Sequence, residues 1–194
     1  MSLAGLQNPV LDQQATFRAV MQALAEPGHA VPAGAVAGEA SPLGPVARAI
    51  ALSLLDFEVQ FHLSPSLASA EGDLTFHTGS RRAARPDEAE FAFLDLRHDA
   101  LDLASFAQGT PEYPDRSTTL VLRVESFAEG NPLTLAGPGI PGSRKCRIAG
   151  LPVDFAAQWG ANAARSPLGV DLIFTTSEAV LGLPRSTRII EEAR

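Results

Sequence analysis

The side chains that could carry metal chemistry in this chain are few and scattered. No two of the four histidines, His29, His62, His77 and His98, have the four-residue separation of a local helical metal site. A zinc or iron site would need ligands from distant positions, so none is expected. His77 lies in a Phe-His-Thr-Gly sequence, where a hydrogen bond to nearby backbone is the favoured interpretation.

The single cysteine, Cys146, is a possible thiolate nucleophile. Arg144, Lys145 and Arg147 flank it, and neighbouring cations lower the pKa of a thiol. The alternatives are an ordinary thiol, or a basic cluster that binds an anion or is simply solvated. A lone cysteine also excludes an internal disulfide and a cysteine-rich metal site.

Common nucleotide and nucleophile motifs are absent from the sequence. There is no GxxxxGK[ST] phosphate loop, no GxGxxG fingerprint and no Gly-x-Ser-x-Gly elbow. Gly137-Pro138-Gly139 is glycine-rich, but its proline lacks the backbone N–H that a phosphate cradle would use. Four charged residues, Glu26, Asp56, Asp171 and Arg185, stand beside apolar segments. We interpret them as ion pairs or helix caps rather than catalytic groups.

Composition limits the class of protein. The chain has 194 residues, 45% of them hydrophobic and 19% charged, which predicts one globular domain over residues 1–194. A net charge of −7 without a basic run argues against a nucleic-acid partner. No signal peptide begins the sequence and no segment is apolar enough to span a bilayer, so we expect a cytoplasmic protein without a membrane partner.

Three helices are predicted from apolar spacing. The first opens at Asn8-Pro9, carries Val10, Phe17, Met21 and Leu24 at helical intervals, and stops at Glu26-Pro27-Gly28. The second begins near Ser41-Pro42, and the third covers residues 153–164. Residues 67–78 and 101–107 are short helical possibilities, and residues 80–90 are predicted to be a surface loop.

Strands are predicted between these helices, with residues 118–124 the strongest because they are rich in β-branched side chains. The others are residues 58–63, 91–96, 133–135, 147–149, 170–175, 179–183 and 187–190, the last two closing the sheet. At least two strands are apolar throughout. This pattern favours a layered α/β protein with a buried mixed sheet.

Turn-forming motifs occur in a fixed order along nearly the whole chain. They are Gln14-x-x-Phe17-Arg18, Ala25-Glu26-Pro27-Gly28, Leu54-Leu55-Asp56, Phe76-His77-Thr78-Gly79, Gly109-Thr110 with Pro114, Leu135-x-Gly137-Pro138-Gly139-Ile140, Pro167-Leu168-Gly169-Val170-Asp171 and Leu183-Pro184-Arg185-Ser186-Thr187. In this order the sequence resembles the PhnH family, whose members belong to the carbon–phosphorus lyase core complex of bacterial phosphonate catabolism.

The resemblance implies a three-layer α/β/α sandwich with a mixed central sheet, similar to the large domain of pyridoxal-phosphate-dependent transferases but without the cofactor site. Such enzymes need a Schiff-base lysine. Lys145 is the only lysine here, in a basic loop unlike such a site, so no cofactor is expected.

The resemblance also implies a homodimer that assembles with subunits G, I and J, and with the ATPase-like subunit L in an ATP-dependent step. That step replaces adenine on ribose by an alkylphosphonate and forms alpha-D-ribose 1-methylphosphonate 5-triphosphate. The resemblance assigns no catalytic residues to this chain, and we expect the chain not to be catalytic alone.

Two hypotheses for the role of this chain follow. In the first, it is a structural and assembly subunit with exposed apolar patches. In the second, Arg18, His77 and Arg185 converge on a phosphonate or triphosphate, since guanidinium groups suit such oxyanions. A weaker third hypothesis is a vestigial pyridoxal-type fold with a different partner.

Overall fold

Ten strands and four α-helices form the described part of the chain, which is residue 6, residues 8–33 and residues 41–190 of a computed structural model. The helices are α1 (Pro9–Ala25), α2 (Pro45–Leu54), α3 (Glu71–Thr78) and α4 (Phe155–Ala163). The strands are β1 (Ala30–Pro32), β2 (Gln60–Leu63), β3 (Arg81–Arg82), β4 (Phe91–Asp95), β5 (Thr119–Arg123), β6 (Pro132–Ala136), β7 (Arg144–Arg147), β8 (Asp171–Thr175), β9 (Ala179–Leu183) and β10 (Arg188–Ile189). Short 3₁₀ helices cover Pro65–Ala70, Pro86–Glu88 and Leu103–Ser105.

Seven strands form the main sheet in the order β1-β9-β8-β5-β4-β2-β3. The five strands from β8 to β3 are mutually parallel, whereas β9 runs antiparallel to both β8 and β1. The prediction of an α/β protein with a mixed central sheet is therefore confirmed.

Both faces of this sheet are buried, which explains its continuously apolar central strands. On one face, Val121 of β5 and Ile173 of β8 pack with residues of α1, α2 and α3. On the other, Leu120 and Leu122 of β5 join a cluster with α4, residues 101–106 and the smaller sheet. Side chains alternate between two cores because successive strand residues point to opposite faces.

The first helix begins and ends as predicted, but a different face of it is buried. The Asn8 side chain accepts a hydrogen bond from the Leu11 backbone and caps the helix, with Pro9 at its first position. The buried residues are the smaller Thr16, Ala19, Val20 and Ala23. Close approach to the sheet favours these small residues, so Val10, Phe17 and Met21 are left exposed.

The second helix begins at Pro45 rather than near Ser41-Pro42. Gly44 is its N-cap with φ 77°, and no side chain caps it. Residues 41–44 are turn and coil. The Gly44 N–H donates to the Ser41 carbonyl 2.9 Å away and closes this turn before the helix begins. The ambiguous segment 67–78 resolves into a 3₁₀ turn followed by α3.

A second sheet contains one strand that was expected to close the main sheet. It has the antiparallel order β10-β6-β7. Ile189 of β10 is paired with Leu135 of β6, so the expectation for residues 187–190 was wrong in its partner. Strand β7 also lies earlier than the predicted residues 147–149. The reason is tertiary, since short strands carry no signal of which sheet they join.

The predicted surface loop at residues 80–90 contains an edge strand. Its two residues, Arg81 and Arg82, are exposed and pair in parallel with Gln60 and Phe61. Two arginines carry no strand pattern in the sequence, but charged side chains on a short edge strand discourage pairing between molecules. No helix within the described ranges is long and apolar enough to cross a membrane.

Candidate functional site

Arg185 lies at the centre of a polar cluster at the amino ends of β5 and β8. Its Nε lies 3.1 Å from both carboxylate oxygens of Asp171, and its backbone N–H donates to Oδ1 at 2.7 Å. Nη2 donates to Asp171 and to the Ser117 hydroxyl, the latter at 2.5 Å. Nη1 donates to the Pro114 carbonyl at 2.9 Å and the Pro167 carbonyl at 3.4 Å.

We call Arg185, Asp171, Ser117 and the carbonyls of Pro114 and Pro167 the Arg185 cluster. It joins three separated segments of the chain, residues 114–117, residues 167–171 and Arg185 itself, through one guanidinium group. Its ion pair between Asp171 and Arg185 is the kind of structural contact that the sequence predicts for charged residues beside apolar segments. Charge-assisted and multidentate bonds of this kind hold geometry strongly.

A residue that the sequence analysis missed supports the turn before Asp171. The buried Asn162 of α4 accepts from the Val170 N–H at 2.8 Å and donates to the Val170 carbonyl at 2.9 Å. Gly169, with φ 111°, lies so close that a Cβ there would stand 2.7 Å from the Asn162 Oδ1. An asparagine in an amphipathic helix gives no sequence signal for this role.

The glycine motifs also meet at one junction. The turn at residues 137–140 packs against the end of α1, and a Cβ on Gly139 would lie 2.1 Å from the Ala25 carbonyl oxygen. Arg144 Nη1 donates to the carbonyls of Glu26 and Pro27 at 3.0 and 2.9 Å. These motifs therefore fix how the end of α1 packs against the smaller sheet. This packing role explains the glycines and prolines at the junction.

His77 belongs to a second charged group on α2 and α3. Its Nε2 is 3.5 Å from Asp73 Oδ1, and its ring packs edge-on against Phe76. Asp73 also accepts from Nε and Nη2 of the buried Arg48, at 2.8 and 3.0 Å. This arrangement pairs a buried guanidinium group with a carboxylate and joins the two helices.

Arg18 lies on the exposed side of α1. Arg18 thus lies on α1, His77 on α3, and Arg185 directly after β9. The partners described above for His77 and Arg185 belong to different segments of the chain.

A polar cluster lies at the carboxyl ends of β2 and β4, where the order of the strands across the sheet reverses. The connection after β2 leads to β3 on one side, whereas the connection after β4 leads to β5 on the other. Residues 67–74 pack on one face and residues 101–106 on the opposite face. In parallel sheets, ligands commonly bind at the carboxyl ends of two such strands.

Asp99 is the main hydrogen-bond acceptor of this cluster. Its Oδ2 accepts from the hydroxyls of Ser64 and Ser66 at 2.6 and 2.5 Å and from the Asp95 N–H at 3.2 Å. Burial raises the pKa of the Asp99 carboxyl, but the hydrogen bonds from the Ser64 and Ser66 hydroxyls and from the Asp95 and Ser66 backbone together hold that pKa below its ordinary value. Polar residues directly after strands β2 and β4 are the signal that could have revealed this cluster.

Two guanidinium groups share one buried carboxylate beside Asp99. Arg97 donates to Asp95 through Nε at 2.8 Å and Nη2 at 2.5 Å, and Arg123 Nη1 is 3.7 Å from Asp95 Oδ2. Burial raises the pKa of Asp95. The hydrogen bonds and the charge of Arg97 lower it by a larger amount, so the pKa lies below its ordinary value. Burial, aided by the charge of Arg97, lowers the pKa of Arg123. The cluster is therefore a polar network whose charged groups pair with one another.

Cys146 is not an activated nucleophile. It lies on β7, partly buried, and burial raises the pKa of its thiol to about 11, against the smaller lowering effect of Arg144. The thiolate hypothesis fails because desolvation outweighs the flanking cations. Among the described residues, no group of three or more His, Cys, Asp or Glu side chains could hold a metal ion.

Comparison with known proteins identifies the family. Residues 4–190 match the model of the family described as "Bacterial phosphonate metabolism protein (PhnH)". The chain is 42% identical over 187 residues to "Alpha-D-ribose 1-methylphosphonate 5-triphosphate synthase subunit PhnH" of Rhizobium meliloti (strain 1021), covering 95% of this chain and 94% of that protein. It is 33% identical over 177 residues to "Putative C-P lyase subunit protein HtxG" of Stutzerimonas stutzeri, covering 91% and 85%. The chain therefore belongs to the PhnH family of bacterial phosphonate metabolism proteins.

Proposed function

We propose that this chain is a subunit of the bacterial carbon–phosphorus lyase core complex and takes part in phosphonate catabolism. In this role it supports the ATP-dependent formation of alpha-D-ribose 1-methylphosphonate 5-triphosphate, in which alkylphosphonate displaces adenine. The observation that carries the proposal is the 42% identity, over 95% of this chain, to a subunit of the synthase named for that product.

Within the complex, the chain has a structural and assembly role and is not catalytic alone. Three features support this role. The donors of Arg185 already have acceptors inside the fold, and the glycine motifs serve close backbone packing. Large apolar side chains of α1 are meanwhile left exposed, as on a surface that another protein covers.

The chain acts as a single domain over residues 1–194, forms a homodimer, and assembles with subunits G, I and J and with the ATPase-like subunit L in the cytoplasm. The proposal includes no cofactor. The layers around the main sheet support a relationship to the large domain of pyridoxal-phosphate-dependent transferases. The sole lysine, Lys145, lies on β7 of the smaller sheet and not on a strand of the main sheet, at whose parallel strand ends such folds bind ligands.

An alternative proposal gives Arg18, His77 and Arg185 a direct role in binding the phosphonate or the triphosphate. Arg18 offers the sharper test of the two arginines, because it is exposed whereas Arg185 holds the fold together. Under this alternative, Arg18→Ala abolishes turnover of the assembled complex while leaving assembly intact. Under the assembly role, turnover changes only as far as assembly does.

The deciding experiment is co-expression of the full chain with subunits G, I and J of its own genome, followed by affinity capture and light scattering. A stable complex of fixed stoichiometry is the expected result. A chain that leaves these subunits uncaptured contradicts the proposal and favours a related fold with a different partner.

A further inference from the structure

The exposed face of α1 carries large apolar side chains that the fold leaves uncovered. Val10 is 64% exposed, Phe17 52% and Met21 50%. With the exposed Gln14, they form one line along the helix, which we call the α1 seam (Val10, Gln14, Phe17 and Met21). Leaving this much apolar surface in water along one helix is unfavourable and indicates a missing partner.

The spacing of the seam is that of a helix-pairing surface. Its members are separated by four, three and four residues, which is the a/d spacing of a heptad over about three helical turns. The small residues Thr16, Ala19, Val20 and Ala23 already anchor the opposite face to the sheet. The helix therefore has two apolar faces, and the core uses only one.

The seam is complementary to itself in the antiparallel direction. A two-fold axis between residues 15 and 16 places Val10 opposite Met21 of a second copy and Gln14 opposite Phe17 of that copy. Both pairs then repeat on the other side of the axis, as an isologous interface requires. The flexible Met21 thioether adapts readily to a branched neighbour such as Val10.

The residues that flank the seam also fit a second copy. No member of the seam is charged, and the flanking cation is Arg18. In the antiparallel arrangement, Arg18 lies near Leu11 of the second copy, and Leu11 is itself 60% exposed. The alkyl part of the arginine can cover that leucine while its guanidinium group stays in water.

The size of the surface sets the expected strength. A helix of 17 residues is about 25 Å long, so two such helices in contact bury an area near or below the roughly 1,200 Å² at the low end of specific interfaces. We therefore expect an association that dilution reverses.

We propose that the α1 seam is the surface through which two copies of this chain pair, as antiparallel helices about a two-fold axis. This inference rests on the homodimer of the proposed function and assigns its contact surface.

The first test is sedimentation velocity of the full chain and its variants over a range of concentrations. Phe17→Glu places two charges in the paired seam and is expected to weaken dimerisation at least tenfold. Phe76→Glu is the matched control, because Phe76 is also an exposed phenylalanine on a helix, at 72% exposure, but lies on α3 outside the seam. Circular dichroism checks that both variants keep the native helix content.

The second test examines the direction of pairing with a short bis-maleimide cross-linker. In the antiparallel pair, the two Val10 positions are about 16 Å apart along the axis, from a rise of about 1.5 Å per residue. The double variant Val10→Cys with Met21→Cys should therefore cross-link efficiently between chains, and the single variant Val10→Cys poorly. The partly buried Cys146 is replaced by alanine in both.

Three results overturn the inference. They are a wild-type chain that stays monomeric at every concentration, a dimer unaffected by Phe17→Glu, and efficient cross-linking of the single Val10→Cys variant. Loss of subunit capture by Phe17→Glu from a chain that is monomeric alone would assign the seam to a different subunit. Failure of the proposed function looks different, since the dimer then survives but captures no core subunits.

Discussion

Arg185 and Asp171 are fourteen residues apart and form the most extensively bonded ion pair among the described residues, with a backbone N–H and two guanidinium nitrogens of Arg185 directed at one carboxylate. The pair connects the end of β9 to the start of β8 and, through Ser117 and Pro114, to the segment before β5. It converts two motifs that are separate in sequence into one structural unit.

Removal of this guanidinium group should destabilise the fold. The two side chains are only 16% and 23% exposed, so Arg185→Ala leaves a poorly solvated carboxylate and should lower the free energy of unfolding by about 3 kcal/mol. Urea unfolding measures the change. The control is Arg116→Ala, because the Arg116 guanidinium packs over the exposed Tyr113 ring and should change stability by about 0.5 kcal/mol or less. Equal losses in both variants would contradict a special role for the pair.

The junction at Gly139 should be intolerant of any side chain. Gly139→Ala forces a Cβ to within 2.1 Å of the Ala25 carbonyl at a φ of 79°, so a loss on the order of 3 kcal/mol or more is expected. Gly142→Ala separates the two causes. Gly142 has a φ of 72° with nothing within 4 Å, and its variant should lose only about 1 kcal/mol. Thermal unfolding of the two variants compares them, and similar melting temperatures would remove the packing argument.

Cys146 should react slowly with thiol reagents in the native protein. Its pKa of about 11 leaves little thiolate at pH 8, and its burial restricts access. Reaction with 5,5′-dithiobis(2-nitrobenzoate) is expected to become fast only in urea. The exposed Ser143→Cys variant, with Cys146→Ala, reports the rate of an accessible thiol on the same hairpin. Equal native rates would show that Cys146 is an activated thiol after all.

His62 should make stability depend on pH near neutrality. Burial, together with the charge of Arg82, lowers its pKa below the ordinary value of 6.5, and its buried Nδ1 has no hydrogen-bond partner among the described residues. The unfolded chain therefore binds this proton at a higher pH than the folded chain. The contribution of neutral His62 to the free energy of unfolding is therefore fully present above about pH 6.5. It is lost as the pH falls through that value towards the pKa of His62 in the folded chain.

Urea midpoints measured between pH 5 and pH 7.5 test this dependence. In His62→Gln the fall in this range should become shallower, whereas His98→Gln, at an exposed position, provides the matched comparison. An unchanged slope in His62→Gln would assign the pH dependence to other groups.

Much of the fold could be predicted from local sequence. The start of α1 at Asn8-Pro9 and its end at Pro27-Gly28 follow from capping and proline chemistry, and residues 119–123 follow from their β-branched composition. Strand β3 could not be predicted, because two consecutive arginines have no strand signal. They form a strand only because they pair with β2.

The site residues were less accessible to prediction. Arg185 and Asp171 were interpreted as structural charges, but neither Asn162 nor the network of Asp99, Ser64 and Ser66 was found. These contacts join residues 8 to 35 positions apart, and no periodicity encodes which side chains meet across such distances.

By itself, the sequence determined the family, the mixed α/β class and the turns, since these depend on local backbone preferences and on the order of motifs. Tertiary structure alone decided that β10 pairs with β6, that Cys146 is desolvated, and that the large apolar residues of α1 face outward. The physical reason is that burial is a property of the whole packed chain. The helix has two apolar faces, and the close approach of α1 to the sheet, where a Cβ on Gly182 would lie 2.5 Å from the Ala23 carbonyl, selects the one with small side chains.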